Sequence, residues 1–151
     1  MIRELRDDDL DSIRKRFEEY ARSLGFDLGF QDFAAELENL PGDYAPPRGC
    51  ILLANREQRI VGCVALRRWD ETICEMKRLY VIPDARGKGI GRQLAGAIIA
   101  RAKGLGYKRM RLDTLTSMQA ANRLYASLGF CPIAAYRYNP LAGAQFYEVS
   151  L

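Results

Sequence analysis

The sequence predicts one α/β domain, of the α+β kind, over residues 1–151, in which a mixed central sheet of about six to seven strands carries helices on both faces. Strand and helix patterns follow each other in the order β-α-α-β-β-β-α-β-α-β-β. A strand, a long helix and a strand from Thr72 through Leu115 favour a right-handed parallel crossover. The 151 residues are 48% hydrophobic, which is enough to bury a core.

The first third of the chain is predicted to be mainly helical. Residues 2–6 form a short strand pattern, and Asp7, Asp8 and Asp9 supply acids for a helix start. Apolar residues at helical spacing then continue until Gly25. A second short helix is expected over residues 31–40, and the proline- and glycine-rich residues 41–49 end it.

Three strands are predicted next, over residues 50–55, 59–69 and 72–82. The segments between them are short enough for hairpins, so these strands should be antiparallel. A long helix is expected from about Lys88 to Leu105, followed by a strand over residues 109–115.

The last quarter of the chain should contain one helix and two strands. The helix begins at Thr116 or Ser117 and ends at Gly129. The strands lie near residues 131–138 and 145–151, on either side of a loop that contains Pro140.

A glycine-rich, basic segment joins the third strand of this group to the long helix. Exposed backbone N–H groups and the helix dipole favour an anion there, and glycines let the backbone approach it closely. The segment fits neither the Walker A nor the dinucleotide-binding pattern, and a plain helix-start turn is the alternative. The pattern predicts a phosphate or pyrophosphate cradle built from Gly87, Gly89, Gly91, Arg86, Lys88 and Arg92.

Two motifs resemble the GNAT superfamily of N-acetyltransferases. Residues 86–91 match its [QR]xxGx[GA] signature, and residues 79–83 look like the strand that precedes that signature. Residues 124–130 resemble the LYxxxGF segment of the last helix in the family. The resemblance extends over essentially the whole chain, because the order of elements is also that of the family.

The resemblance implies that acetyl-CoA is the cosubstrate, bound where two neighbouring parallel strands splay apart. The backbone of residues 79–81 would meet the pantetheine and the acetyl oxygen, and residues 86–92 would hold the pyrophosphate. The cofactor-binding residues implied in this way are Leu79, Tyr80, Val81, Arg86, Gly87, Lys88, Gly89, Ile90, Gly91 and Arg92.

The resemblance also implies how protons move while the amine attacks directly through a tetrahedral intermediate. Tyr125 matches the general acid of the family, and a core tyrosine is its structural alternative. Glu75 matches the strand glutamate that acts as base in several members, with water or an exposed strand carboxylate as alternatives. One departure concerns cofactor binding, because Met118 stands where many relatives have asparagine, and Asn122 lies one helical turn later.

The expected acceptor is the primary amine of a small polar metabolite or amino acid. This expectation comes from a set of arginines predicted to border the acceptor side and to bind a carboxylate: Arg48, Arg67, Arg68, Arg78 and Arg137. The family sets its acceptor with the first helix pair and the last loop, which are about residues 26–49 and 136–147. A protein or peptide acceptor, or a non-catalytic acetyl-CoA sensor, is the alternative.

Composition excludes several other classes of protein. The absence of histidine rules out a histidine-based triad and the commoner zinc sites, so no metal is expected. The net charge of +4 comes with no nucleic-acid-binding motif, so no nucleic acid is expected. With neither a signal peptide nor a long apolar stretch, the chain is predicted to be cytoplasmic and free of membranes, as a monomer or homodimer with four reduced cysteines.

Overall fold

The computed structural model describes residues 1–151 and contains seven strands and four α-helices in the predicted order. A 3-10 turn over Gly29–Gln31 lies between the first two helices. The bounds are β1 Ile2–Glu4, α1 Leu10–Leu24, α2 Phe33–Glu38, β2 Cys50–Arg56, β3 Arg59–Arg68, β4 Ile73–Val81, α3 Ile90–Gly104, β5 Arg109–Leu115, α4 Gln119–Ser127, β6 Cys131–Ile133 and β7 Ala144–Ser150.

The seven strands form one mixed sheet in the order β1-β2-β3-β4-β5-β7-β6. All neighbours are antiparallel except β4 and β5, which run parallel and are joined through α3. Helices α1 and α3 both pack on β3 and β4, and the core is a single cluster of 30 buried residues. The predicted mixed sheet and its parallel crossover are therefore confirmed.

A bulge in β4 and a gap between β4 and β5 create the space for a site. Cys63 pairs with Tyr80 and Ala65 with Lys77, so β4 has one extra residue there. Arg78 lies in the bulge with a φ of 61°, a conformation that costs a non-glycine residue about 1–2 kcal/mol. The pairing of β4 with β5 stops at Glu75, although both strands continue. Beyond that point the two strands leave a gap between them.

Contacts of the Arg78 side chain hold the bulge in place. Its guanidinium donates from Nε and Nη2 to the two carboxylate oxygens of Glu36, both at 2.9 Å. It also lies over the rings of Phe33 and Tyr20, at 5.1 and 5.7 Å from the centroids. Because α1 and α2 supply these contacts, the two helices determine the shape of the strand that lines the gap.

The structure corrects one predicted strand near the C-terminus. The strand expected over residues 131–138 is only Cys131–Ile133 long. The chain leaves the sheet after Ile133 because Tyr136 and Arg137 turn inward to hydrogen-bond Glu75. All four cysteines are unpaired, and three are buried, while Cys131 is exposed. No helix combines the length and the apolar character that crossing a membrane would require.

Candidate active site

An open cleft of about 620 Å³ lies beside the end of β4, the turn before α3 and the first half of α4. It contains eight of the ten residues predicted to bind the cofactor: Leu79, Tyr80, Val81, Arg86, Gly87, Gly89, Ile90 and Gly91. Lys88 and Arg92 are not in its wall, and Arg92 instead donates to the Ser127 hydroxyl at 2.8 Å. Arg123 on α4 contributes a cation to the wall that no sequence motif indicated.

The turn before α3 has the backbone that an anion cradle needs. Gly87 and Gly89 have φ values of 78° and 80°, in the left-handed region that favours glycine. No atom lies within 4 Å of where a Cβ would stand at either residue, so the space beside this backbone is free. The turn leads directly into the N-terminus of α3, whose dipole favours a phosphate. These residues therefore fit the pyrophosphate of acetyl-CoA.

A narrow inner cavity of about 30 Å³ continues the open cleft into the fold. The two spaces share three wall residues, Tyr20, Leu79 and Met118. Tyr125 lies in the wall of the inner cavity. The other polar or charged side chains of this wall are Gln31, Lys77, Arg78, Asp113, Thr114 and Asn139.

Tyr125 lies on the buried face of α4 and is only 6% exposed. Its ring packs on Phe130 at a centroid distance of 5.7 Å. Burial raises the pKa of the Tyr125 hydroxyl well above its ordinary value, and Tyr20 and Asp113 act in the same direction. The hydroxyl therefore keeps its proton and is available as a donor.

Glu75, the predicted base, lies outside both spaces and is fully buried. Its carboxylate accepts from Arg67 Nε at 2.8 Å, from the Tyr136 hydroxyl at 2.7 Å and from Arg137 Nη1 at 2.9 Å. Burial by itself raises the pKa of Glu75, but Lys77, Arg67, Arg137 and the Tyr136 hydroxyl outweigh it and lower the pKa to about 2. The role of Glu75 as base stays a prediction, although these partners occupy the oxygens that a base needs free.

The arginines expected to line the acceptor side are mostly engaged elsewhere. Arg67 and Arg137 form ion pairs with Glu75, and Arg48 and Arg68 form ion pairs with exposed Glu71. Only Arg78 reaches the inner cavity, and it is already paired with Glu36. Of the five arginines, the inner cavity therefore contains only Arg78, and its second buried cation is Lys77, which sequence reasoning missed.

Met118 and Asn122 have different roles at the start of α4. Met118 is the N-cap residue and forms part of the wall of both spaces. Asn122 donates from Nδ2 to the carbonyl of Leu115 at 2.9 Å, and its Oδ1 accepts from the Thr114 hydroxyl at 2.9 Å. The amide of Asn122 thus anchors α4 to β5.

The model of the acetyltransferase (GNAT) family matches residues 7–130 of this chain. The chain belongs to that family. It is 39% identical over 145 residues to an N-acetyltransferase of Schizosaccharomyces pombe, covering 95% of this chain and 89% of the relative. As a GNAT member it is an acetyltransferase with acetyl-CoA as donor, so the predicted enzyme class is confirmed.

The chain is also similar to a solved acetyltransferase structure and to a named enzyme. An acetyltransferase from Salmonella typhimurium, solved with acetyl-CoA, has a TM-score of 0.70 at 21% identity and covers 99% of this chain and 92% of its own. The likeness to that protein shows a shared fold. N-acetylaspartate synthetase of Danio rerio is 34% identical over 107 residues, covering 68% of this chain and 38% of the relative.

Proposed function

We propose that this GNAT acetyltransferase transfers the acetyl group to the primary amine of a small polar metabolite, such as an amino acid. The observation that supports this best is the junction of the open cleft with the inner cavity of about 30 Å³. The cleft is large enough for an extended cofactor, whereas the cavity is narrow and polar. Such a cavity admits the amine end of a small molecule that lies in the cleft, whereas a folded polypeptide segment cannot enter it.

The role of each group of residues in the proposed reaction follows from its position. When bound, acetyl-CoA supplies the acetyl group as an activated thioester. Residues 86–91 hold the pyrophosphate, and the unpaired edge of β4 at Leu79–Val81 offers backbone groups to the pantetheine and the acetyl oxygen. Tyr125 gives its hydroxyl proton to the departing sulfur and recovers a proton from the nitrogen that becomes an amide.

An amino-acid acceptor is supported by the charge of the inner cavity and by one relative. Lys77 and Asp113 form a polar pair in its wall at 3.5 Å, which suits a molecule with both an amine and a carboxylate. N-acetylaspartate synthetase, which resembles two thirds of this chain, is named for an acetylated amino acid.

We expect free amino acids to be turned over faster than their amides and than short peptides, because the Lys77–Asp113 pair suits a free amine and carboxylate and a longer chain has no room beside it. The measurement is thiol release from acetyl-CoA with matched sets of each compound. A preference for peptides would indicate a polypeptide acceptor. Stabilisation by acetyl-CoA without turnover of any amine would indicate a sensor.

Gly89→Asp is expected to abolish the rise in melting temperature that acetyl-CoA produces. A carboxylate in the cradle repels the pyrophosphate, and a ligand that no longer binds the folded state no longer stabilises it. The measurement is thermal unfolding with and without acetyl-CoA.

Gly89→Asn is the matched control, because asparagine tolerates the same left-handed backbone and has no charge. It should retain much of the shift. A full shift in Gly89→Asp would show that the pyrophosphate lies elsewhere.

A further inference from the structure

Lys77 is the one lysine that the fold buries, and its ammonium lies in the wall of the inner cavity. Its side chain is 3% exposed, whereas the side chains of the other four lysines reach the surface: Lys15, Lys88, Lys103 and Lys108. Its Nζ lies 3.1 Å from the Gln31 side-chain oxygen and 3.5 Å from Asp113 Oδ1. A buried lysine is costly unless its charge is used or removed, so this one needs an explanation.

We propose that Lys77, in its uncharged form, takes a proton from the ammonium of the acceptor inside the inner cavity and thereby prepares the amine for attack. This deepens the proposed function by assigning its general base. The N–H bond of the acceptor ammonium breaks, the new N–H bond forms at Lys77 Nζ, and the lone pair stays on the acceptor nitrogen. Lys77 later returns its proton to water.

The location of Lys77 supports this role more than that of Glu75. Lys77, Leu79 and Tyr125 share the wall of the inner cavity, so the proposed base and acid border the same space as the backbone expected to meet the acetyl group. Glu75 does not reach that space and is held by three donors. Once the product has left, a cavity of about 30 Å³ with several polar groups in its wall has room for a water molecule that takes the proton from Lys77.

The surroundings of Lys77 make the uncharged form accessible near neutral pH. Burial lowers the pKa of Lys77 to about 8, with Arg78 and Arg67 acting in the same direction and Glu75 and Asp113 opposing it. The titratable groups that face it are Glu75 and Arg78 on β4, Arg67 on β3, Asp113 on β5, Tyr20 on α1 and Tyr125 on α4. Asp113 accepts from Asn139 with its other oxygen, so it orients Lys77.

The test compares two substitutions of Lys77 in the full chain, by kcat at saturating substrates over a range of pH. Lys77→Met removes the amine, and Lys77→Arg keeps a positive charge that does not titrate in this range. For the wild type, kcat should rise with pH through a midpoint near 8, because the base must be uncharged. Both variants should lose about 10²-fold in kcat at neutral pH. In both variants, the rise of kcat with pH should instead follow the titration of the acceptor ammonium.

Lys103→Met is the control, because Lys103 is exposed on α3 and should leave kcat and its pH dependence unchanged. A readout independent of turnover is the ¹⁵N signal of the five lysine amines. The Lys77 signal should titrate with a midpoint near 8.

Several results would overturn the proposal. Wild-type kcat in Lys77→Arg would mean that Lys77 serves only as a charge. A change confined to KM in Lys77→Met would mean that it binds the acceptor. If kcat still rises with pH in both Lys77 variants but no longer does so in Glu75→Gln, the base is Glu75, and the proposed function stays intact. A wild type that turns over no amine would overturn the proposed function itself.

Discussion

Tyr125→Phe is expected to lower kcat by about 10- to 10⁴-fold while the fold and acetyl-CoA binding stay nearly unchanged. The substitution removes one hydroxyl and keeps the ring that packs on Phe130. Without the hydroxyl, the departing sulfur loses the proton donor that the proposed function assigns to it. The measurements are kcat by thiol release and the melting temperature with and without acetyl-CoA.

Tyr107→Phe is the matched control for that experiment. Tyr107 is also a buried tyrosine, but it lies outside both spaces and donates to the carbonyl of Arg48 at 2.6 Å. Its loss should cost about 1 kcal/mol of stability and leave kcat unchanged. Equal kcat values in wild type and Tyr125→Phe would mean that Tyr125 serves packing alone and that water protonates the sulfur.

Glu75→Gln is expected to destabilise the fold by about 3–5 kcal/mol, the usual effect of removing one partner from a buried ion pair. The substitution leaves the partly buried Arg67 and Arg137 without the fully buried anion that they share. The measurement is the free energy of unfolding from denaturant titration at neutral pH. Glu71→Gln, which removes an exposed carboxylate that also contacts two arginines, should change it by less than about 1 kcal/mol.

The pH dependence of stability gives the same experiment a second readout. The pKa of Glu75 is about 2 in the folded protein and its ordinary value is 4.5, so the folded state favours the carboxylate. The stability that Glu75 contributes is therefore fully present above pH 4.5 and is lost as the pH falls towards 2. Glu75→Gln should lack this component. An unchanged free energy of unfolding in the variant would mean that the arginines find other partners.

The amino-acid sequence by itself determined the order of the strands and helices, the cradle and the family. These features depend on local patterns. Alternation predicts strands, spacing of three and four predicts helices, and Gly87 and Gly89 provide a left-handed turn wherever the rest of the chain lies. The LYxxxGF run around Tyr125 is contiguous as well. For these reasons the sequence could predict eight of the residues that line the open cleft.

The tertiary structure alone decided which charged side chains reach the inner cavity. A regular strand would direct Lys77 and Arg78 to opposite faces, but the bulge at Arg78 brings both into the cavity wall. That bulge is held by Glu36, which lies 42 residues away in sequence. The partners of Glu75 include Arg137, 62 residues away, so no local pattern showed that its carboxylate is engaged. Contacts between distant segments exist only once the chain has folded, and they decide that Lys77 borders the cavity while Glu75 does not.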